Sequence, residues 1–425
     1  MNEVKDISVI YFIGIGGIGM SALARYYQFQ GKTVSGYDKT ETKLTRALAA
    51  EGIAIHYEDN PDLVPKNADL VVYTPAVPKD HKELNYFREH KYELLKRSEV
   101  LGLITKTSFN VAVAGTHGKT TISTMVAHLL RHSGYGCNAF LGGISVNYNS
   151  NFWSDKRNVS VIEADEYDRS FLRLSPDIAV ISAMDADHLD IYGDEATMQE
   201  SFIEFSGKLK PGGMLISKFG LPQSERLSAE RHIRYSQQNQ SADIHATDIR
   251  MHQGTYTFGI RTQSWQLNDI VLNMGGMHNI ENMIAAIAVA HELQIDDQKI
   301  KDAVESFRGV KRRFEYQVKT DQLVYVDDYA HHPEELRALI QGAKSLFSDF
   351  HCVVIFQPHL FSRTRDFVDG FAKSLDMADE TILLPIYPAR ELPIPGVSTE
   401  MVVALMKQKD VKILEKPAIT AYLQT

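Results

Sequence analysis

Over the first hundred residues, continuous apolar runs alternate with segments of helical period. ISVIYFIG at 7–14 is apolar almost throughout, the pattern of a strand buried on both faces of a parallel sheet. A glycine-rich turn follows, then a helical segment over 21–30 that stops at Gly31. TVSGYD at 33–38 predicts a second strand, TKLTRALAAEG at 42–52 a helix ending on Gly52, and DLVVYTPAV at 69–77 a further strand. Such a βαβ series implies a parallel sheet. The pattern restarts at FNVAVAGTHGKTT (109–121) and runs through NVSVIEADE (158–166) and IAVISAMDADHLD (178–190). It changes between about 226 and 275, where DIHATDIRMHQGTYTFGIR alternates polar and apolar residues around Gln253-Gly254 and predicts antiparallel strands. An Ala-rich helix over 279–293 closes that block. A third series opens near RGVKRRFEY (308–316), with QLVYVDDYA, CVVIFQP, ETILLPIY and VKILE as strands. The expectation is an α/β chain of three domains. They are a Rossmann-like N-terminal domain at 1–106, a central P-loop ATPase domain at 107–308 and a C-terminal Rossmann-like α/β domain at 309–425.

Composition narrows the function classes. At 44% hydrophobic and 23% charged residues, disordered and collagen-like classes are excluded. A net charge of −9 argues against a nucleic-acid surface built on bulk positive field, so an anionic ligand would need local devices. The two cysteines, Cys137 and Cys352, lie far apart among apolar residues and read as structural thiols of a reducing compartment. The first residues lack a basic segment followed by an apolar run and cleavage site, and no apolar stretch approaches the roughly 18 residues of a membrane span. A cytoplasmic protein without membrane or nucleic-acid partners is expected.

Gly14-Ile15-Gly16-Gly17-Ile18-Gly19 has GxGxxG spacing between a strand and a helix, and Asp38 ends the next strand. Glycines allow a tight turn, a helix start offers N–H groups to phosphate, and an acid there can meet a ribose hydroxyl. The motif specifies a diphosphate near a helix start, met by a dinucleotide or a UDP-sugar alike; a tight turn without ligand is the plain alternative. Gly115-Thr116-His117-Gly118-Lys119-Thr120-Thr121 is the more specific feature. In such a loop backbone N–H groups wrap phosphates, Lys119 neutralises charge and Thr120 ligates Mg²⁺. Strict Walker A spacing puts glycine at 113, where this chain has Val113.

Glu163 ends an apolar strand with Asp165 and Glu166 just beyond, and His188 follows another such strand. In a parallel sheet these share the C-terminal edge with Lys119, placing Thr120 and Glu163 on one Mg²⁺ and His188 near a second. Magnesium prefers oxygen ligands, which makes His188 the weaker of the three. His278, Asn279 and Asn282 open a helix, where asparagine is ordinarily a cap. Arg312-Arg313 follows a linker and can reach phosphates. Tyr329, His331, His359 and Arg363 lie just past two strands and suit a small carboxylate, which arginine binds bidentately; a surface ion-pair network fits equally well.

In this order, GIGGIGMSALA (14–24), GTHGKTT (115–121), EADEYDRSF (163–171), DADHLDIYG (185–193), HNIEN (278–282), KRRF (311–314), DDYAHHP (327–333) and FQPHLFSRTRD (356–366) resemble the Mur ligases over essentially the whole chain. The resemblance is strongest to those members that couple L-alanine to UDP-N-acetylmuramate. It implies an ATP- and Mg²⁺-dependent ligase, with Gly14, Gly16, Gly17, Gly19 and Asp38 facing UDP-N-acetylmuramate. By the same resemblance residues 115–121 and Arg313 bind ATP, Thr120, Glu163 and His188 serve the metals, and His278, Asn279 and Asn282 line the adenine side, which replaces the capping reading. Tyr329, His331, His359 and Arg363 then form the L-alanine pocket. Lys119, Glu163 and His188 are the implied catalytic set.

Three departures stand out. Leu360 occupies a position where many members have arginine. No lysine follows His188 before Lys208, so the carbamylated lysine of some members is not expected. The chain ends on PAITAYLQT, which reads as cut short. A monomer or weak homodimer whose domains close on binding is expected. The alternatives are a sibling ligase that attaches a recycled murein peptide to the same sugar nucleotide, and, more distantly, a nucleotide sensor or NAD-binding oxidoreductase resting on GxGxxG alone.

Overall fold

A computed structural model describes residues 7–185, 192–252, 254–389 and 391–424, with Asp168 described in its backbone only. They form two compact units. The first takes the residues up to Asp248 together with Phe258–Val271 and Ile280–Val310; the second takes Ile249–Thr257, Leu272–Asn279 and the residues from Lys311 on.

The first unit begins with β1 (Val9–Ile13), α1 (Ile18–Phe29), β2 (Thr33–Tyr37), α2 (Lys43–Ala50), β3 (Ala54–His56), β4 (Leu70–Tyr73), α3 (Lys82–Glu89), β5 (Leu94–Lys96) and α4 (Arg97–Thr107). The strands form a parallel five-stranded sheet in the order β3-β2-β1-β4-β5. Alternation along β1 sends Ile10 and Phe12 to one buried face and Tyr11 and Ile13 to the other, so both faces are covered. α1 starts at Ile18, three residues before the predicted 21, because Gly17 already takes the extended cap conformation.

β6 (Phe109–Ala114), α5 (Lys119–His132), β7 (Asn138–Ser145), β8 (Ser150–Trp153), β9 (Val159–Glu163), β10 (Ile178–Ile181), β11 (Met214–Lys218), β12 (Arg231–Ser236), β13 (Ile244–His252), β14 (Thr255–Arg261) and β15 (Gln266–Leu272) follow. They build a ten-stranded sheet in the order β15-β14-β13-β12-β11-β10-β6-β9-β7-β8. β6 lies between β9 and β10, parallel to both, with Val113 level with Glu163 and Ala114 level with Ile181. That register places the ends of three strands side by side. Ahead of the predicted antiparallel segment, β12 runs parallel to β11 and to β13. The hairpin reading holds for β13 and β14, which adjoin in the sheet across a two-residue connection only an antiparallel pair permits. One continuous core joins the two sheets, from Ile10 and Phe12 through Phe140 and Phe152 to Ala112 and Ile162.

The second unit contains β16 (Glu315–Lys319) and β17 (Val324–Asp327), an antiparallel pair, and a parallel sheet of β18 (Val353–Phe356), β19 (Glu380–Leu383) and β20 (Val411–Ile413). The parallel α/β layer was expected; the two-stranded ladder was not. β16 escapes detection because EYQVK is mostly exposed and polar, and β17 pairs with it rather than joining the parallel sheet. The helix Pro333–Leu346 opens on proline at its first position, where no N–H is needed, with His332 as its cap. Its Leu336 and Ile340 pack with Phe356, Phe371 and Leu383 into a small core.

Candidate active site

The loop 115–118 leaves the buried end of β6 and turns directly into α5, whose first residue is Lys119. Gly115 holds φ +137°, and a side chain there would meet Ser182 Oγ at 2.2 Å; Gly118 holds φ +83°, with Asn282 Oδ1 only 2.9 Å from where a Cβ would stand. The loop is pinned from the neighbouring strand end. Thr116 N donates to Ala183 O at 3.1 Å, Ser182 Oγ donates to His117 O, and Asp185 N donates to Thr116 Oγ1 at 3.2 Å. His117 stays exposed, with Nε2 3.9 Å from Asp185 Oδ2, and Thr121 is buried in the first turn of α5.

Lys119 Nζ donates to Gly115 O and to Glu166 Oε1, each at 2.7 Å. Beside it, Thr120 Oγ1 donates to Glu163 Oε1 at 2.9 Å, and Gly142 N donates to Glu163 Oε2 at 2.9 Å. Burial pushes the pKa values of both Glu163 and Glu166 up, opposed in each case by the Lys119 charge. Glycines in β7 shape this corner. A Cβ on Gly142 would fall 2.3 Å from Glu163 Oε1, and one on Gly143 would fall 2.8 Å from Thr120 Cγ2. The pair thus offers a hydroxyl and a carboxylate, the oxygen donors a hard divalent cation takes. Among the described residues no cluster of three or more His, Cys, Asp or Glu side chains is arranged for a metal. His188 lies outside the described residues.

Sequence reasoning named Glu163 but not Glu166 as the partner of Lys119, nor Ser182, Gly142 and Gly143. The signals were present in EADE and in a Gly-Gly pair inside an apolar strand, which marks close approach of a neighbour. Asn279 is buried and donates from Nδ2 to Gly275 O at 2.6 Å; it sits inside the helix that His278 begins.

At the first glycine turn four N–H groups are already used. Gly14 N and Ile15 N donate to Tyr37 O at 2.8 and 3.0 Å, and Gly17 N donates to Gly14 O at 3.3 Å. Gly16 N donates to Asp38 Oδ2 at 2.7 Å. Asp38 closes the turn through its Oδ2. Gly19 lies under Arg97, whose Nη1 is 2.7 Å from where a Cβ would stand.

In the second unit Tyr329 is exposed, its ring 5.0 Å from that of His331 and 5.8 Å from the Arg313 guanidinium. The His359 pKa is lowered by burial first, then by the charges of Arg363 and His331. His359 also stacks on Tyr387 at 5.6 Å. Leu360 takes φ +69°, rare for a side chain of its size, and Glu391 accepts from Ser362 N at 3.0 Å beside it.

Three family models match the chain in succession: the Mur ligase family catalytic domain at 9–108, the Mur ligase middle domain at 113–290 and the Mur ligase glutamate ligase domain at 312–424. The UDP-N-acetylmuramate–L-alanine ligase of Flavobacterium johnsoniae is 48% identical over 99% of this chain and 93% of its own length. That of Porphyromonas gingivalis is 46% identical over 97% and 92%. The crystal structure of the UDP-N-acetylmuramate–alanine ligase of Thermotoga maritima superposes with a TM-score of 0.82 at 30% identity, covering 98% of this chain and 92% of that one. A murein peptide ligase from Psychrobacter arcticus shares the fold, with a TM-score of 0.68 at 23% identity. Motifs, fold and relatives agree, and the chain belongs to the Mur ligase family.

Proposed function

We propose that this protein joins L-alanine to UDP-N-acetylmuramate at the expense of ATP, a step of peptidoglycan precursor synthesis in the cytoplasm. The observation that carries the reading is the corner where Lys119 and the Thr120–Glu163 pair meet at the end of β6. The domain division 1–106, 107–308 and 309–425 assigns the sugar nucleotide, ATP and the amino acid to successive domains.

The chemistry is carboxylate activation. The muramyl carboxylate attacks the γ-phosphorus of ATP, forming an acyl phosphate and releasing ADP. The neutral amine of alanine then attacks the acyl carbon, and the tetrahedral intermediate expels phosphate. Lys119 exchanges Glu166 for the β- and γ-phosphate oxygens, so the ammonium offsets charge on the transferring group. Thr120 Oγ1 and Glu163 fit Mg²⁺ through oxygen ligands, and the ion supplies positive charge to the phosphates. His278, Asn279 and Asn282 serve the adenine side and Arg313 the phosphates, while Tyr329, His331, His359 and Arg363 hold alanine.

The test is amide formation with ATP, Mg²⁺, UDP-N-acetylmuramate and alanine, against a murein tripeptide in place of alanine. Lys119→Ala should lower turnover by at least about a hundredfold while UDP-sugar binding stays near wild type. Retained turnover in that variant, or a preference for the tripeptide, overturns the reading.

A further inference from the structure

The glycine turn at 14–19 raises a question of charge. Four of its N–H groups are engaged within the chain, one of them by the carboxylate of Asp38. A diphosphate brought here meets the like charge of Asp38 and finds only part of the turn's donors still open, so it gains from a cation placed nearby.

Arg97 supplies it. It opens α4 directly after the edge strand β5, and its side chain lies across the first turn of α1. A Cβ on Gly19 would stand 2.7 Å from Nη1 and 2.9 Å from Cδ of this arginine, so the third glycine of GIGGIG makes room for a guanidinium. At its far side Nη2 is 3.7 Å from Asp165 Oδ2, too long for a hydrogen bond. Among the described residues Arg97 forms no side-chain hydrogen bond, although only 25% of the side chain is exposed. Withdrawing five donors that far from water without acceptors is costly unless a ligand supplies them.

We propose that Arg97 binds the diphosphate of the sugar nucleotide, exchanging its long ion pair with Asp165 for bidentate contact with phosphate oxygens. This rests on the function proposed above. It gives that reading a specificity residue outside both glycine motifs, and ties the sugar site to the loop that carries Glu163 and Glu166. Asp165 is the counter-ion that holds the guanidinium until substrate arrives.

Calorimetric titration of the full chain with UDP, and competition by uridine, test it. Arg97→Met should weaken UDP about tenfold or more, the range for charged hydrogen bonds, and leave uridine unchanged. KM for UDP-N-acetylmuramate should rise by a similar factor with KM for ATP unaltered, and Arg97→Lys should restore part of the loss. Gly19→Ala, which displaces the guanidinium without removing it, should reproduce the UDP defect and guards against a misfolded Arg97→Met. Asp165→Asn should act in the opposite sense, with UDP binding a few-fold tighter. Wild-type UDP affinity in Arg97→Met and Gly19→Ala, or an equal loss for uridine and UDP, overturns the proposal. Should wild-type protein form no amide while Arg97→Met still loses UDP selectively, the ligase reading fails and the Arg97 site stands.

Discussion

The two compact units hold their candidate residues by different means. In the first, the loop 115–118 leaves a strand whose residues Val111–Ala114 are wholly buried, Lys119 is held by the wholly buried Glu166, and Glu163 accepts from Thr120 Oγ1 and Gly142 N. In the second, the strands are thin and partly bare: Val353 and Ile355 on β18 and Tyr325 on β17 are exposed, as is Tyr329. Local backbone devices do the positioning there. Asp328 accepts from Phe314 N and Ala330 N, Glu335 accepts from His331 N and His332 N, and Glu391 accepts from Ser362 N. A site cut into a rigid core tolerates no added volume, whereas one assembled from loop hydrogen bonds loses function in modest increments.

The largest break in that contrast should come from Gly115→Ala. The backbone there lies at φ +137°, which alanine avoids, and the new methyl would meet Ser182 Oγ at 2.2 Å. Ser182→Ala removes the Oγ contact but leaves Ala183 N 2.9 Å from the new methyl and the dihedral unchanged, so the double variant should stay defective. Turnover should fall by at least about a hundredfold and stability by about 1–3 kcal/mol, read from phosphate release and denaturant unfolding. Near-wild-type values for the double variant would mean that the Ser182 Oγ contact alone matters at this position.

Burial in the first unit has a cost that pH exposes. Glu83 is wholly buried, accepts from Tyr11 OH at 2.7 Å and Asn60 N at 3.1 Å, and lies 3.6 Å from His56. Burial raises its pKa from 4.5 to about 7. The folded chain therefore keeps a proton on Glu83 that the unfolded chain releases, and stability from this group is fully present below pH 4.5 and lost as pH rises to about 7. The loss is of the order of 3 kcal/mol at most. Glu83→Gln has nothing to titrate, so its unfolding free energy should gain on wild type steadily across that window. Parallel curves for the two proteins would refute the assignment.

The same contrast decides what could be read from the chain itself. Strands buried on both faces announce themselves as apolar runs, so β1, β4, β6, β9 and β10 were legible, and a glycine-lysine loop between such a strand and a helix is legible for the same reason. Which of Glu163, Asp165 and Glu166 turns toward Lys119 depends on side-chain direction past the strand end, which spacing does not encode. Asp38 was recognisable as an acid at a strand end, yet its hydrogen bond from Gly16 N follows from the tightness of the turn, which spacing does not encode. Ser182 and Gly142 carry no motif and matter only through what lies against them. In the second unit EYQVK lacks a buried face and its strand was invisible, while His331 lies past β17 and His359 and Arg363 lie past β18, two strand ends of different sheets whose relation no periodicity reports.

The smallest effect is expected at Arg363, where the second unit's reliance on loops is tested directly. The residue lies on the short helix Phe361–Asp366, whose start is tied to Glu391 through Ser362 N, and its charge lowers the pKa of His359. If Arg363 holds the alanine carboxylate, Arg363→Met removes a bidentate partner in a solvated setting, which costs about tenfold in KM for alanine with KM for ATP untouched. Arg363→Lys should recover only part, because a point charge cannot reproduce the planar fork. Removing the neighbouring cation should also let the His359 pKa move back up, a change that ring-proton titration by NMR reads without any turnover. A shifted histidine with unchanged KM would leave Arg363 as an electrostatic neighbour of His359 and hand the carboxylate to another side chain. An unshifted histidine with raised KM would mean that the arginine meets alanine without passing its charge to the ring.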